Sequence, residues 1–135
     1  MSMNNGREDE LGLPVTTIEE QVIRQYFDAF NRHDVDGVVA CFHDAVVLVD
    51  TTGTQVEGLE AARRRYEADF ALIPDAHCEL RLVSGHDERG FAESVFRGTV
   101  RQGGPVRAVG TEVMEFADGK IKHIRDYHRL DSRPS

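Results

Sequence analysis

Residues 77–130 read HCELRLVSGHDERGFAESVFRGTVRQGGPVRAVGTEVMEFADGKIKHIRDYHRL. From His77 the apolar residues recur at every second position, with Cys78, Leu80 and Leu82 alternating against Glu79 and Arg81. That is the period of a strand with one buried face. Turn-forming residues break the pattern at Gly85–Gly90, Gln102–Pro105 and Ala117–Gly119. Four strands are therefore predicted, over about 77–84, 91–101, 106–116 and 120–130.

Upstream the period changes. Thr17 and Glu20 have capping-box spacing, and Val22, Ile23, Tyr26, Phe27 and Phe30 follow at helical intervals, predicting a helix to about Arg32. Asp34 is placed to cap a second, short helix with Val35, Val38, Val39 and Phe42 on one face. Val46–Asp50 is a β-branched run and reads as a strand, Thr51–Gly58 as a turn-rich connection, and Leu59 to about Leu72 as a third helix that Pro74 stops. Helices first and a strand meander last give an α+β fold: a cone-shaped, curved antiparallel sheet covered on one face by three helices from the N-terminal half.

At 135 residues and 40% hydrophobic content, the chain is long enough for one core and one cavity. Residues 1–15 have little to bury and read as a flexible leader, leaving a domain over 16–131. A net charge of -8 opposes binding to nucleic acid or to anionic membranes. The one basic cluster, Arg63–Arg65, lies among acids and reads as a solvated helix face. No apolar run approaches the roughly 20 residues that cross a bilayer, and no signal peptide is apparent, so a cytoplasmic location is expected. Cys41 and Cys78 are too few for a disulfide framework, and the histidines show no metal-ligand spacing. No metal and no cofactor are expected.

Strand parity assigns faces. In the last strand Ile124, Asp126 and His128 share one face, while His123, Arg125 and Tyr127 share the other. In the preceding strand Glu112, Met114 and Phe116 fall together, placing an acid on an apolar stripe, which is costly unless it is paired or protonated. Glu93, Val95, Arg97 and Thr99 form another row, with Arg97 a candidate for the pocket and a possible partner of Glu112, as is Arg107. Asp50 reads either as a base or as an aspartate capping the loop after its strand. Tyr26 reads as a pocket donor or a core tyrosine, and His128 as a proton relay or a cap at the mouth of the cone.

The stretch VIRQYFDAFNRHDVDGVVACFHDAVVLVD, residues 22–50, resembles the opening of bacterial ketosteroid isomerases, in the nuclear transport factor 2-like superfamily of cystatin-like α+β rolls. The resemblance extends to about Leu130. It implies that Tyr26 donates to a substrate oxygen, that Asp50 moves the proton, and that Glu112 stands where the isomerases carry a protonated aspartate. GKIKHIRDYHRLD, residues 119–131, is similar to the last strand of limonene epoxide hydrolases and SnoaL-type polyketide cyclases, which implies an acid or acid–base role for Asp126. The epoxide hydrolases add an arginine and an aspartate two residues apart. Arg97 is instead followed by Gly98 and Thr99, so that triad is incomplete.

These readings converge on a cofactor-independent acid–base enzyme, an isomerase, aldol cyclase or dehydratase. Its substrate is expected to be a small to medium hydrophobic carbonyl compound, polyketide- or terpenoid-like. Asp50, Asp126, Tyr26 and Glu112 are the catalytic candidates, and Arg97, His128, Ile124 and Met114 the supporting ones. Epoxide opening and a non-catalytic binding or dimerisation module are the rival readings. The resemblance also implies a homodimer, formed on the outward face bearing Arg125 and Tyr127.

Overall fold

The computed structural model describes residues 16–131; the leader expected over 1–15 lies outside the described residues. Three helices, α1 (Ile18–Asn31), α2 (Val35–Ala40) and α3 (Leu59–Leu72), cover a curved sheet of six strands. The strands are β1 (Phe42–Val49), β2 (Gln55–Glu57), β3 (His77–His86), β4 (Arg89–Val100), β5 (Gly104–Ala117) and β6 (Lys120–Leu130), in sheet order β2-β1-β6-β5-β4-β3.

Local chemistry explains the boundaries. Thr17 caps α1 by accepting from the Glu20 amide at 3.1 Å, and its hydroxyl also donates to the Gly85 carbonyl at 2.6 Å. One threonine thus satisfies an orphan helix amide and ties the helix to β3. Asp34 accepts from the Gly37 amide at 3.0 Å and caps α2. The β3–β4 and β5–β6 turns place Asp87, Glu88, Asp118 and Gly119 at positive φ, the conformation that matches the twist of paired strands. Both hairpins are therefore tighter than the sequence suggests.

Three expectations are corrected. The sheet is not wholly antiparallel, because β1 runs parallel to β6, with Val49 opposite Arg125. Phe42 opens β1 instead of extending α2, which ends at its C-cap Cys41. A short edge strand, β2, occupies part of the expected connection, pairing Val56 with Leu48.

The parallel pairing has a consequence for the site. It carries the end of β1, and so Asp50, alongside the strand that holds Asp126, joining residues far apart in sequence. Ile23, Tyr26, Phe27 and Phe30 of α1 are buried against the sheet with Phe42, Val46, Met114 and Ile121. Phe42, Ile23, Met114 and Ile121 have almost no exposure, so truncating one of them to alanine should cost about 2–5 kcal/mol.

Candidate active site

Between the helices and the concave face of the sheet lies a cavity of about 390 Å³. Its walls are largely apolar, with Phe30, Leu48, Ile73, Phe96, Val106 and Ile124 among the lining residues. The exposed Thr51 and Leu130 mark its mouth, and the buried Tyr26, Tyr66, Cys78 and Glu112 its floor.

The floor carries a pair of phenols. Tyr26 of α1 and Tyr66 of α3 meet through their hydroxyls at 2.7 Å. Two hydroxyls joined by one bond use only one of their two protons between them, so the pair retains one O–H for a ligand. Burial holds both phenols protonated; the Tyr26 value lies well above the ordinary tyrosine range, and that of Tyr66 is raised as well.

Beside them stands Glu112, 8% exposed. No group among the described residues hydrogen-bonds to its carboxyl. Burial first, and the Asp126 carboxylate second, push its pKa up to about 8, against a smaller opposing effect of His128. Glu112 is thus a neutral acid near pH 7. Asp126 lies directly opposite it across the β5–β6 ladder. Asp126 Oδ1 accepts from the His128 amide at 3.0 Å and lies 2.6 Å from His128 Nδ1. Cys78, also on the floor, has its thiol pKa raised by burial and by the two carboxyl groups, which leaves it protonated and unreactive.

A second polar group lies towards the mouth. Asp50 Oδ1 accepts from the Thr52 amide, the Thr52 hydroxyl and the Thr54 amide at 2.9, 2.6 and 3.0 Å. Arg65 Nη1 reaches its Oδ2 at 3.3 Å, while Arg65 Nε donates to both oxygens of Asp69 at 3.1 and 3.2 Å. The Thr52 hydroxyl leads the interactions that hold the Asp50 carboxyl below the usual carboxylate range, the loop amides and Arg65 adding to it against its partial burial. Asp69 moves the other way, because burial outweighs the stabilising Arg65 charge.

The SnoaL-like domain family matches residues 23–124, more than half of the chain. The chain belongs to that family. The solved structures similar to this SnoaL-like domain have the same fold. A protein of Jannaschia sp. CCS1, provisionally named a SnoaL-like polyketide cyclase, is 16% identical over 93% of this chain and 92% of its own, with a TM-score of 0.74. SalBIII, an epoxide hydrolase/cyclase-like enzyme of pyran ring formation in the polyether salinomycin, is 19% identical over 84% of this chain and 91% of its own, at 0.72. An uncharacterised cystatin-fold protein of Novosphingobium aromaticivorans is 21% identical over 82% and 97%, at 0.70.

Of the residues singled out in the sequence of this SnoaL-like domain, Tyr26, Asp50, Glu112, Ile124, Asp126 and His128 all line the cavity. Asp50 has the partners of the loop-capping alternative. Arg97 is a correction: its row faces outward, and Arg97 Nη1 pairs with Glu79 at 3.3 Å on the convex side of the sheet. Arg107 likewise pairs with Asp131, so neither arginine meets Glu112. Met114 is wholly buried in the core and is not part of the cavity wall. Four residues escaped the sequence reading: Arg65, Tyr66 and Asp69 on the wall, and Ser94 behind it. Arg65 corrects the view of Arg63–Arg65 as a solvated face, since its guanidinium is half-buried between two carboxylates. Among the described residues no three His, Cys, Asp or Glu side chains gather as metal ligands, and no helix is long and apolar enough to cross a membrane.

Proposed function

We propose that this cavity is the active site of a cofactor-independent acid–base enzyme that enolises a small to medium, largely apolar carbonyl compound, for isomerisation, aldol cyclisation or dehydration. One observation carries the reading. A buried carboxylic acid without a protein partner faces an apolar cavity, directly across a strand pair from a carboxylate held by histidine. Two carboxyl groups in unequal environments divide into an acid and a base.

Asp126 takes a proton from the carbon next to the substrate carbonyl. The C–H electron pair moves towards the carbonyl carbon and the oxygen becomes an enolate. The free O–H of the Tyr26–Tyr66 pair donates to that oxygen, and Glu112 supplies a proton to it or to the oxygen of the carbonyl that the enolate carbon attacks. Both donors are fixed in a water-poor site before charge develops, which is where a hydrogen bond lowers a barrier most. Asp50, saturated by its own loop and by Arg65, orders the rim. Epoxide opening would have to proceed without Arg97, which lies on the opposite face of the sheet.

The test is a thermal-shift screen of enones, β-polyketones and epoxides on the full chain, followed by turnover of the stabilising class in Glu112→Gln and Asp126→Asn. Loss of turnover in both, with binding retained, is expected. Binding without turnover by the parent protein would make this a ligand-binding module, and turnover confined to epoxides would replace enolisation by ring opening. We further propose a homodimer on the convex sheet face, where Leu82, Phe91 and Tyr127 are 52, 38 and 61% exposed. A monomer in light scattering at micromolar concentration would overturn it.

A further inference from the structure

Asp126, His128 and Ser94 have the composition of a nucleophilic triad, and their distances invite that reading: His128 Nδ1 lies 2.6 Å from Asp126 Oδ1, and His128 Nε2 lies 2.9 Å from Ser94 Oγ. Two observations oppose it. Ser94 has no exposed surface and is absent from the cavity wall, so no substrate carbon can reach its hydroxyl. The Ser94 carbonyl oxygen also lies 3.2 Å from His128 Nε2. A carbonyl oxygen only accepts, as does a carboxylate. The Ser94 hydroxyl can donate to a bare Nε2 or accept from a protonated one, whereas the carbonyl beside it and the Asp126 carboxylate only accept, which favours the ring that donates from both nitrogens.

The backbone is shaped for this contact. Ser94, Gly110 and His128 stand in one row across β4, β5 and β6. Neighbouring strands lie about 4.8 Å apart, so Ser94 and His128 meet across two strand spacings, over a residue with no side chain. A Cβ at Gly110 would fall 2.3 Å from the Tyr127 carbonyl oxygen and 2.5 Å from His128 Cα, closer than atoms approach. Gly110 thus lets the β5 and β6 backbones approach closely beside His128.

We propose that Ser94 and His128 are positioning residues for the Asp126 carboxylate: Ser94, reaching over Gly110, holds His128 as a donor at both ring nitrogens, which pins Asp126 Oδ1 and leaves Oδ2 to the substrate. The proposal rests on the reading of Asp126 as the base. His128 remains charged beside it, so proton transfer to Asp126 takes place next to a fixed cation and not a mobile one. The His128 side chain is 8% exposed, and burial alone would favour its neutral form. The Asp126 hydrogen bond and charge outweigh burial, with help from the Ser94 carbonyl and, once it ionises, from Glu112, and raise its pKa. The ionisable groups facing His128 are Asp126 on its own strand and Glu112 from β5; Cys78 of β3 and the two tyrosines sit beyond Glu112.

Nitrogen NMR of the full chain labelled at histidine, with the His128 signals assigned by His128→Gln, tests this without substrate. At pH 7 both His128 nitrogens should be protonated, with a titration midpoint above the usual value of about 6.5. Asp126→Asn should lower that midpoint by at least about one pH unit, and Ser94→Ala by a smaller, resolvable amount. A neutral ring at pH 7 with Nε2 bare in the parent protein would overturn the proposal, as would a midpoint unmoved by Asp126→Asn. A midpoint unmoved by Ser94→Ala would overturn the part given to the Ser94 hydroxyl, since alanine retains the carbonyl. Turnover reports separately on the underlying reading: full activity in Asp126→Asn with a charged His128 in the parent protein would sink the base assignment, and an inactive Asp126→Asn with a neutral parent His128 would sink only the positioning role.

Discussion

Asp50 and Glu112 line the same cavity and carry the same functional group, yet they are opposites in state. Asp50 has three donors on one oxygen and a guanidinium on the other, and its pKa is held down. Glu112 has none, and its pKa rises to about 8. The difference lies in the supply of partners by the backbone. A turn such as Asp50–Thr54 presents free amides to a carboxylate, whereas no amide among the described residues donates to the mid-strand Glu112 carboxyl, the His128 amide nearby being taken by Asp126. Asp50 is therefore stabilised as an anion, and Glu112 retains its proton.

The sharpest way to break this comparison is to delete charge on each side of it. Asp126→Asn should lower kcat by about a hundredfold or more, the scale of a lost general base, while Asp50→Asn should stay within about tenfold of the parent. Steady-state kinetics on the class that the screen returns decides it. The reverse order would make Asp50 the base and Asp126 a structural partner of His128.

The next effect is on stability. Glu112 has a pKa of about 8 in the folded state against 4.5 in the unfolded chain. Between those values the folded state retains a proton that the unfolded state has lost, so its contribution is fully present below about pH 4.5 and is lost as pH rises through 8. Relative to the parent, Glu112→Gln should gain on the order of 4 kcal/mol over that window, read by urea denaturation at a series of pH values. A flat difference would mean that Glu112 is ionised in the folded protein. The same proton predicts an alkaline fall in kcat near pH 8 in the parent protein.

A smaller effect belongs to the phenol pair. Tyr66→Phe removes one hydroxyl and leaves that of Tyr26 with its proton but without its partner, which should destabilise by about 1–3 kcal/mol. Thermal unfolding measures it; no change in Tm would mean that the 2.7 Å contact is not formed in solution.

The sequence made much of this arrangement legible, where periodicity and capping operate within one element. The C-terminal end of α3 follows from Pro74, and the inward side of β6 from alternation through Ile124, Asp126 and His128. Alternation identifies rows but not which row faces in. In β4 the inward row reads Ala92, Ser94 and Phe96, and the outward row contains Val95, 2% exposed, so neither is plainly apolar and alternation leaves the side of Arg97 open. A bulge between Leu80 and Leu82 in β3 further blurs the register. Arg65 belongs to the site only because α3 lies beside the β1–β2 turn, a tertiary contact with no local signature. β2 is three residues long and two of them are polar, leaving no pattern to read.

The smallest prediction tests the anionic side of the comparison on its own terms. The Asp50 pKa is lowered from 3.8, so the unfolded chain binds this proton more tightly than the folded one. Its contribution to stability is present above about pH 4 and is lost as pH falls through the lower folded value, opposite in sign to that of Glu112. In Asp50→Asn the amide oxygen still accepts from the Thr52 and Thr54 amides, so the turn persists. What disappears is the charge facing Arg65 and the added strength of hydrogen bonds to an anion. Arg65 retains Asp69 as a partner, which limits the loss. The Asp50 and Arg65 side chains are 21 and 34% exposed, and pairs in such surroundings contribute up to about 1 kcal/mol. Asp50→Asn should therefore be less stable than the parent by about 1 kcal/mol at pH 7, with the deficit shrinking as pH falls below about 4. A deficit that persists unchanged at pH 2 would locate the effect in turn geometry, not charge, and the contrast with Glu112 would then rest on Glu112 alone.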